Sequence, residues 1–113
     1  MESGWEVQAL EPSPALRANA EQLLGKERVQ AGKVETAAFE ENAWDAVVGL
    51  DLIEHIPDTR ILAERGRRFL RTGGVIYIQT PNAKALRRYL QGAKWNQLRP
   101  DVHYLFHTAD SIR

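Results

Sequence analysis

Two apolar segments flank a helical pattern in the middle of the chain. Asp45–Leu50 and Val75–Gln79 are short and rich in branched residues, which is typical of buried strands. Between them, residues 59–70 carry apolar side chains at helical spacing, and Arg71-Thr-Gly-Gly supplies a turn before the second strand. A strand, a helix and a strand of these lengths predict a βαβ unit, whose strands lie parallel in one sheet.

The first part of the chain repeats this alternation. Trp5–Leu10 is a short, partly alternating segment, and Arg28–Ala31 is a weaker one, so both are predicted strands. Between them Ser13 is a good N-cap with Pro14 in the first helical position, and Gly25 can end the helix. All four strands are therefore predicted to be parallel, with right-handed crossovers. Leu16, Ala20, Leu23 and Leu24 lie on one stripe of this helix.

Later segments are predicted to be mainly helical. The helix between the two apolar strands should bury Leu62, Gly66, Phe69 and Leu70. Asn82 is a natural N-cap for a third helix that ends near Gly92, and Thr108 can cap a fourth. The pattern as a whole predicts an α/β fold with a small parallel sheet flanked by helices.

Length and charge narrow the class of protein. The 113 residues predict one domain, 1–113, and lysine plus arginine equals aspartate plus glutamate at 15 each. The balanced charge argues against nucleic acid or an anionic membrane as a partner. No apolar run is long enough to cross a bilayer, and no signal peptide or cysteine is present. These features predict a cytoplasmic protein.

Polar and ionisable side chains follow the two central strands. Asp51, Glu54 and His55 come after the first, and Thr80 and Asn82 come after the second. Because ligands of parallel α/β sheets bind beyond the carboxyl ends of the strands, this cluster marks a candidate binding site.

Three marks together resemble a known family. They are an acid at a strand end, Glu11; the turn Asp51-Leu-Ile-Glu-His-Ile-Pro-Asp; and Arg71-Thr-Gly-Gly before a strand that ends in Thr-Pro-Asn. In this order and spacing they resemble the class I S-adenosylmethionine-dependent methyltransferases of the small-molecule type. The resemblance covers nearly the whole chain and implies a partial Rossmann-like methyltransferase fold.

The resemblance also implies roles for individual residues. Glu11 takes the two ribose hydroxyls of S-adenosylmethionine, since a carboxylate accepts both hydrogen bonds. Val34 lies against the adenine ring, and Leu50 and Asp51 border the methionine part. These four residues are the predicted cofactor site.

The predicted catalytic residues are Glu54, His55 and His103, which face a small-molecule acceptor. A base that removes the acceptor proton assists methyl transfer to oxygen, and histidine titrates in the right range. No metal is predicted. Glu54 with His103 and His107 could bind one if the two histidines were helical, but their surroundings do not read as helix.

The chain departs from the family pattern in three respects. It begins at what corresponds to the second strand, so the first strand and its Gly-x-Gly-x-Gly loop are absent, and it ends before the last two strands. Lys33 also stands where the family usually has an aspartate that accepts from the adenine amino group. We therefore expect a fragment or incomplete form that binds the cofactor weakly and is inactive alone. The alternative is a non-catalytic interaction or relic module.

Three further readings bear on partners. Glu11 alone also suits a nicotinamide dinucleotide site, although the turn after Asp51 does not. The arginines from Arg65 to Arg71 could indicate RNA binding. A solvated helix face is the preferred explanation, because the charge is balanced and the sequence offers no aromatic stacking platform. The missing central strand leaves apolar strand edges unpaired, which predicts a homodimer.

Overall fold

The computed structural model describes residues 4–94, 105, 107, 108, 110 and 111. The chain divides into two compact units, residues 1–40 and residues 41–113. The strands and helices in chain order are β1 (Ala9–Glu11), α1 (Pro14–Leu24), β2 (Val29–Ala31), β3 (Trp44–Leu50), α2 (Thr59–Phe69), β4 (Leu70–Gln79) and α3 (Leu86–Gln91). Short 3-10 turns occupy Lys26–Arg28, Val34–Thr36, Ile53–His55 and Gly92–Lys94.

The first unit is a short parallel β-α-β arrangement. β1 and β2 are parallel, as predicted, with Ala9 opposite Val29 and Glu11 opposite Ala31. α1 begins at Pro14 after an extended Ser13, again as the sequence predicts. The predicted first strand, Trp5–Leu10, is wrong in its extent, because only Ala9–Glu11 pairs with β2.

The apolar stripe of α1 is not buried. No residue of this helix is buried, and Leu16 and Leu23 are 58% and 82% exposed. Helical periodicity identifies which face of a helix is apolar, but a tertiary partner decides whether that face is covered. The described residues of this unit do not cover it.

The second unit contains the predicted βαβ element. β3 and β4 are parallel, with Val47 opposite Ile76 and Leu50 opposite Gln79. The described strands therefore form two two-stranded parallel sheets, where the sequence predicted one small sheet. The α/β class and the parallel pairings are confirmed.

α2 packs on the β3–β4 sheet through the predicted stripe. Leu62, Gly66 and Phe69 are buried, and Leu70 is half-buried at the helix end. A Cβ atom added at Gly66 would lie 3.0 Å from Ile76 Cδ1 of β4. The glycine thus allows a close approach between the helix and the sheet.

The glycine turn before β4 is a bulge within the strand. β4 begins at Leu70, directly after α2, and its register with β3 is irregular between Trp44 and Ala46. Gly73 has a φ of 84°, which L residues with a side chain rarely adopt. The prediction that the strand starts at Val75 is therefore wrong, although the backbone does turn at the glycines.

The last elements differ from the prediction mainly at their starts. α3 begins at Leu86, so Asn82 is not its N-cap. Instead Asn82 Oδ1 accepts from the Lys84 backbone N–H at 2.9 Å and forms a turn before the helix. Thr108 and Ser111 exchange backbone and hydroxyl hydrogen bonds, which is consistent with the predicted cap at Thr108.

One face of the β3–β4 sheet is uncovered by the described residues. Side chains alternate between the two faces of a strand, and Val47 lies next to Gly66 on the α2 side. The opposite face carries large exposed apolar side chains, which are Val48, Leu50, Val75 and Tyr77.

Candidate functional site

The carboxyl edge of the β3–β4 sheet is closed by a sharp change in backbone direction at Asp51. This residue has a φ of 46°, and its backbone N–H donates to Gln79 O at 2.8 Å. A positive φ outside glycine is uncommon, although aspartate tolerates it better than most residues. The hydrogen bond holds the ends of the two strands together and points the chain into the next turn.

The 3-10 turn Ile53–His55 gives two neighbouring candidate residues opposite environments. Ile53 and Ile56 are buried, and Glu54 is buried with them, at 2% exposure. His55 is exposed. The structure therefore separates the Glu54-His55 pair into an inward carboxylate and an outward imidazole.

Glu54 is held by the end of the neighbouring strand. Its Oε2 atom accepts a hydrogen bond from Thr80 Oγ1 at 2.9 Å, which joins the residues that follow β3 and β4. The other carboxylate oxygen, Oε1, is buried and has no hydrogen-bond partner in the described part of the chain. A buried polar atom of this kind is rare in native proteins and asks for an explanation.

A second buried polar group belongs to the same unit. The Leu105 backbone N–H donates to Glu54 O at 3.4 Å, and the Ala83 backbone N–H donates to His107 O at 2.7 Å. His107 is 8% exposed, and its Nε2 atom also has no partner among the described residues. The sequence pointed to His107 only as a possible metal ligand, and its burial becomes visible only in the fold.

The predicted catalytic residue His103 lies outside the described residues. The described residues contain no cluster of three or more histidine, cysteine, aspartate or glutamate side chains that could hold a metal.

The first unit presents Glu11 at the carboxyl end of β1. Glu11 is half-buried, and its Oε1 atom accepts from the Ser13 backbone N–H at 2.9 Å. This bond fixes the carboxylate at the strand end and uses one of its roughly four acceptor positions. The remaining acceptor positions fit a ligand that offers two hydroxyl groups, as a ribose does.

The residues predicted to contact adenine fit less well. Val34 is buried in its 3-10 turn, as an apolar contact requires. Lys33 is exposed, and its backbone N–H donates to Thr36 Oγ1 at 3.3 Å. A lysine side chain offers donors only, so it cannot accept from an adenine amino group.

The predicted methionine contacts are open to a ligand. Leu50 is exposed at the end of β3, and Asp51 is exposed beside it. Lys33 therefore does not fit the predicted cofactor site, and the cofactor roles of Glu11, Leu50 and Asp51 stay predictions.

Two open clefts lie away from these strand ends. One is lined by Trp5 and Leu23 in the first unit, and the other by Arg67, Arg68 and Arg71 in the second. Arg68 pairs with Glu41, and Arg71 pairs with Asp45. These ion pairs give the basic cleft a structural explanation.

Comparison with known proteins identifies one family. A family model described as a methyltransferase domain matches residues 1–113. No curated protein matches the chain. None of the described helices has the length and apolar character needed to cross a membrane.

Proposed function

The chain belongs to the methyltransferase domain family, and from this membership we propose that it takes part in S-adenosylmethionine-dependent methylation of a small molecule. When bound, the cofactor supplies an electrophilic methyl group. Glu11, Val34, Leu50 and Asp51 are the proposed cofactor residues.

The placement of Glu11 carries this proposal. Its carboxylate stands at the carboxyl end of β1, fixed by the Ser13 N–H, and retains acceptor positions for the two ribose hydroxyls. A fixed carboxylate loses little side-chain entropy when it binds a ligand, so its hydrogen bonds contribute more to affinity.

The acceptor is proposed to bind near the carboxyl edge of the β3–β4 sheet. Glu54 is there with one oxygen unpaired, and His55 is exposed in the same turn. We propose that Glu54, His55 and His103 bind the acceptor and remove its proton, since carboxylates and imidazoles are the common general bases.

The isolated chain is expected to bind the cofactor weakly and to be inactive alone. Lys33 puts a donor where the family uses an acceptor, and one lost hydrogen bond to a charged group costs about 1.5–3 kcal/mol. That loss corresponds to roughly 10- to 100-fold in affinity. The same residue favours the second candidate, an interaction or relic module without cofactor binding.

Titration calorimetry with S-adenosylmethionine separates the two candidates. We expect weak binding to the natural sequence and at least tenfold tighter binding to Lys33→Asp, which restores the acceptor. In the Lys33→Asp background, Glu11→Ala should weaken binding about tenfold or more, because both ribose bonds are lost.

Glu40→Ala is the matched control, since Glu40 is an exposed glutamate of the same unit. It should leave the affinity unchanged. Absence of binding to both the natural chain and Lys33→Asp at millimolar cofactor would favour the non-catalytic module.

A further inference from the structure

Two buried polar atoms in the second unit have no partner among the described residues, and their chemistry differs. Glu54 Oε1 belongs to a residue that is 2% exposed, and His107 Nε2 belongs to a residue that is 8% exposed. Such atoms forfeit their hydrogen bonds to water without replacement, so they oppose folding. Groups that oppose folding persist where a ligand needs them.

The backbone brings both groups to the same edge. Leu105, two residues before His107, donates its N–H to the Glu54 carbonyl. The carbonyl of His107 in turn accepts from Ala83, three residues after Thr80. Glu54 itself is tied to Thr80 by the 2.9 Å hydroxyl bond. The two unpaired atoms therefore lie on segments that are fixed to each other independently of any ligand.

The donor and acceptor properties of the two atoms point to one chemical group. An ionised carboxylate only accepts hydrogen bonds, whereas the Nε2 atom of a neutral histidine can carry the donor proton. A hydroxyl group donates one hydrogen bond and accepts others through the same oxygen atom, so a single hydroxyl can serve both atoms at once.

We propose that Glu54 Oε1 and His107 Nε2 bind a hydroxyl group of the acceptor molecule, with Thr80 as a positioning residue that holds Glu54. This inference rests on the proposed function, and it names the substrate class as a neutral hydroxyl compound. The hydroxyl donates to Glu54 Oε1 and accepts from His107 Nε2–H.

Other ligand groups suit the two atoms less well. A carboxylate or phosphate would be repelled by Glu54, because two anions with no cation between them in a buried site interact unfavourably. An ammonium group donates to Glu54 but has no acceptor for a donor on His107. A methyl ether accepts from His107 but leaves Glu54 Oε1 unpaired.

The first test asks whether His107 serves the fold or a ligand. His107→Phe keeps an aromatic ring but removes the unpaired nitrogen, so we expect the unfolding midpoint to rise by about 4 °C. Tyr89→Phe, which removes a hydroxyl from an exposed ring of α3, should leave the midpoint unchanged. A fall in the midpoint of His107→Phe would show that the imidazole is a structural partner, and would overturn the proposal.

The second test measures hydroxyl recognition directly with phenol as the probe. Phenol should shift the NMR signals of the His107 ring and the Glu54 amide, whereas anisole and benzylamine should bind at least fivefold more weakly. Both His107→Phe and Glu54→Gln should reduce the phenol affinity at least fivefold, since each removes or reverses one of the two bonds. Equal binding of phenol and anisole, or unchanged binding to both variants, would overturn the proposal.

The outcome is separable from that of the proposed function. Calorimetry with S-adenosylmethionine on Lys33→Asp, with and without His107→Phe, reports the cofactor site alone. Cofactor binding without selective phenol binding would remove only the hydroxyl site. Selective phenol binding without cofactor binding would remove the methyltransferase proposal and leave a hydroxyl-binding module.

Discussion

The bond between Thr80 and Glu54 is the main side-chain link at the edge where β3 and β4 end. It is formed between a half-buried hydroxyl and a buried carboxylate, in surroundings where water competes little. Hydrogen bonds to charged groups in such places are stronger than neutral ones. The bond is therefore expected to support both the local fold and the orientation of Glu54.

Thr80→Val tests this link while keeping the shape of the side chain. The variant leaves both oxygens of Glu54 without a partner among the described residues, so the free energy of unfolding should fall by about 1.5–3 kcal/mol. Urea denaturation measures the change. Thr72→Val, at an exposed position of β4, is the control and should change stability by less than about 0.5 kcal/mol. Equal effects of the two substitutions would contradict a supporting role for Thr80.

At the residue scale, the sequence predicted that Glu54 is a site residue, but not that it is buried and bonded to Thr80. The position after a strand end marked it as a site residue, which follows from the topology of parallel sheets. Burial of His107 could not be predicted, because it depends on backbone hydrogen bonds between segments far apart in sequence. Ala83 N–H donates to His107 O, and Leu105 N–H donates to Glu54 O. The roles of Glu11 and His55 stay predictions.

The starts of α1 and α2 were predictable from the sequence, because caps act locally, whereas the start of α3 at Leu86 was not. The sequence predicts starts at Pro14 for α1 and at residue 59 for α2, and the structure begins the helices at Pro14 and Thr59. Strand ends were less predictable. Alternation continues through Trp5–Gln8, but the length of β1 is decided by its three pairs with β2.

The cap of α2 makes a pH-dependent contribution to stability. The Arg60 side chain donates two hydrogen bonds to the Asp58 carboxylate, and the Arg60 backbone N–H donates a third. The side-chain bonds first, and then the backbone bond, hold the pKa of Asp58 below its usual value of 3.8. A depressed pKa stabilises the fold above pH 3.8, and this stabilisation is lost as the pH falls through the lower value in the folded state.

Asp58→Asn isolates this contribution, because asparagine can still cap the helix but does not titrate. The difference in unfolding midpoint between the natural chain and the variant should favour the natural chain near pH 6 and shrink below pH 4. A difference that stays constant from pH 2 to pH 6 would contradict the titration of Asp58. Asp110→Asn, outside this helix, is the control and should leave the difference in unfolding midpoint between the natural chain and Asp58→Asn unchanged.

The size of the residue at position 66 determines how closely α2 can approach β4. Gly66→Ala gains about 1 kcal/mol in helix propensity but brings its Cβ within 3.0 Å of Ile76 Cδ1. We expect the two effects to cancel, so that Gly66→Ala changes stability by less than about 1 kcal/mol. Chemical denaturation measures the change.

A second substitution separates the two effects. Ile76→Val removes the Cδ1 atom, and in that background Gly66→Ala should become stabilising. Ala63→Gly, at an exposed site of the same helix, gives the propensity term alone and should cost about 1 kcal/mol. Identical effects of Gly66→Ala in the two backgrounds would show that Ile76 does not limit the helix position.

At the scale of the whole molecule, the exposed apolar surface is the dominant feature. Val48, Leu50, Val75 and Tyr77 are between 55% and 60% exposed on one face of the β3–β4 sheet. A contiguous apolar face is uncommon on a monomer and is typical of an interaction surface. Two-stranded sheets also leave outer strand edges without backbone partners, and such edges pair readily with another chain.

The sequence predicts a homodimer from its unpaired strand edges. We propose that the chain does form a homodimer, with this sheet face as the interface. Light scattering across a dilution series should show about twice the monomer mass of 12.8 kDa at micromolar concentration. Val48→Lys places a charge in the centre of the apolar face and should shift the chain to the monomer. Ala63→Lys, on the exposed side of α2, should leave the dimer intact because that side is not apolar.

A monomer that persists at high micromolar concentration would exclude the dimer. A dimer that survives Val48→Lys would instead place the interface elsewhere, and the exposed stripe of α1 at Leu16 and Leu23 is then the next surface to test.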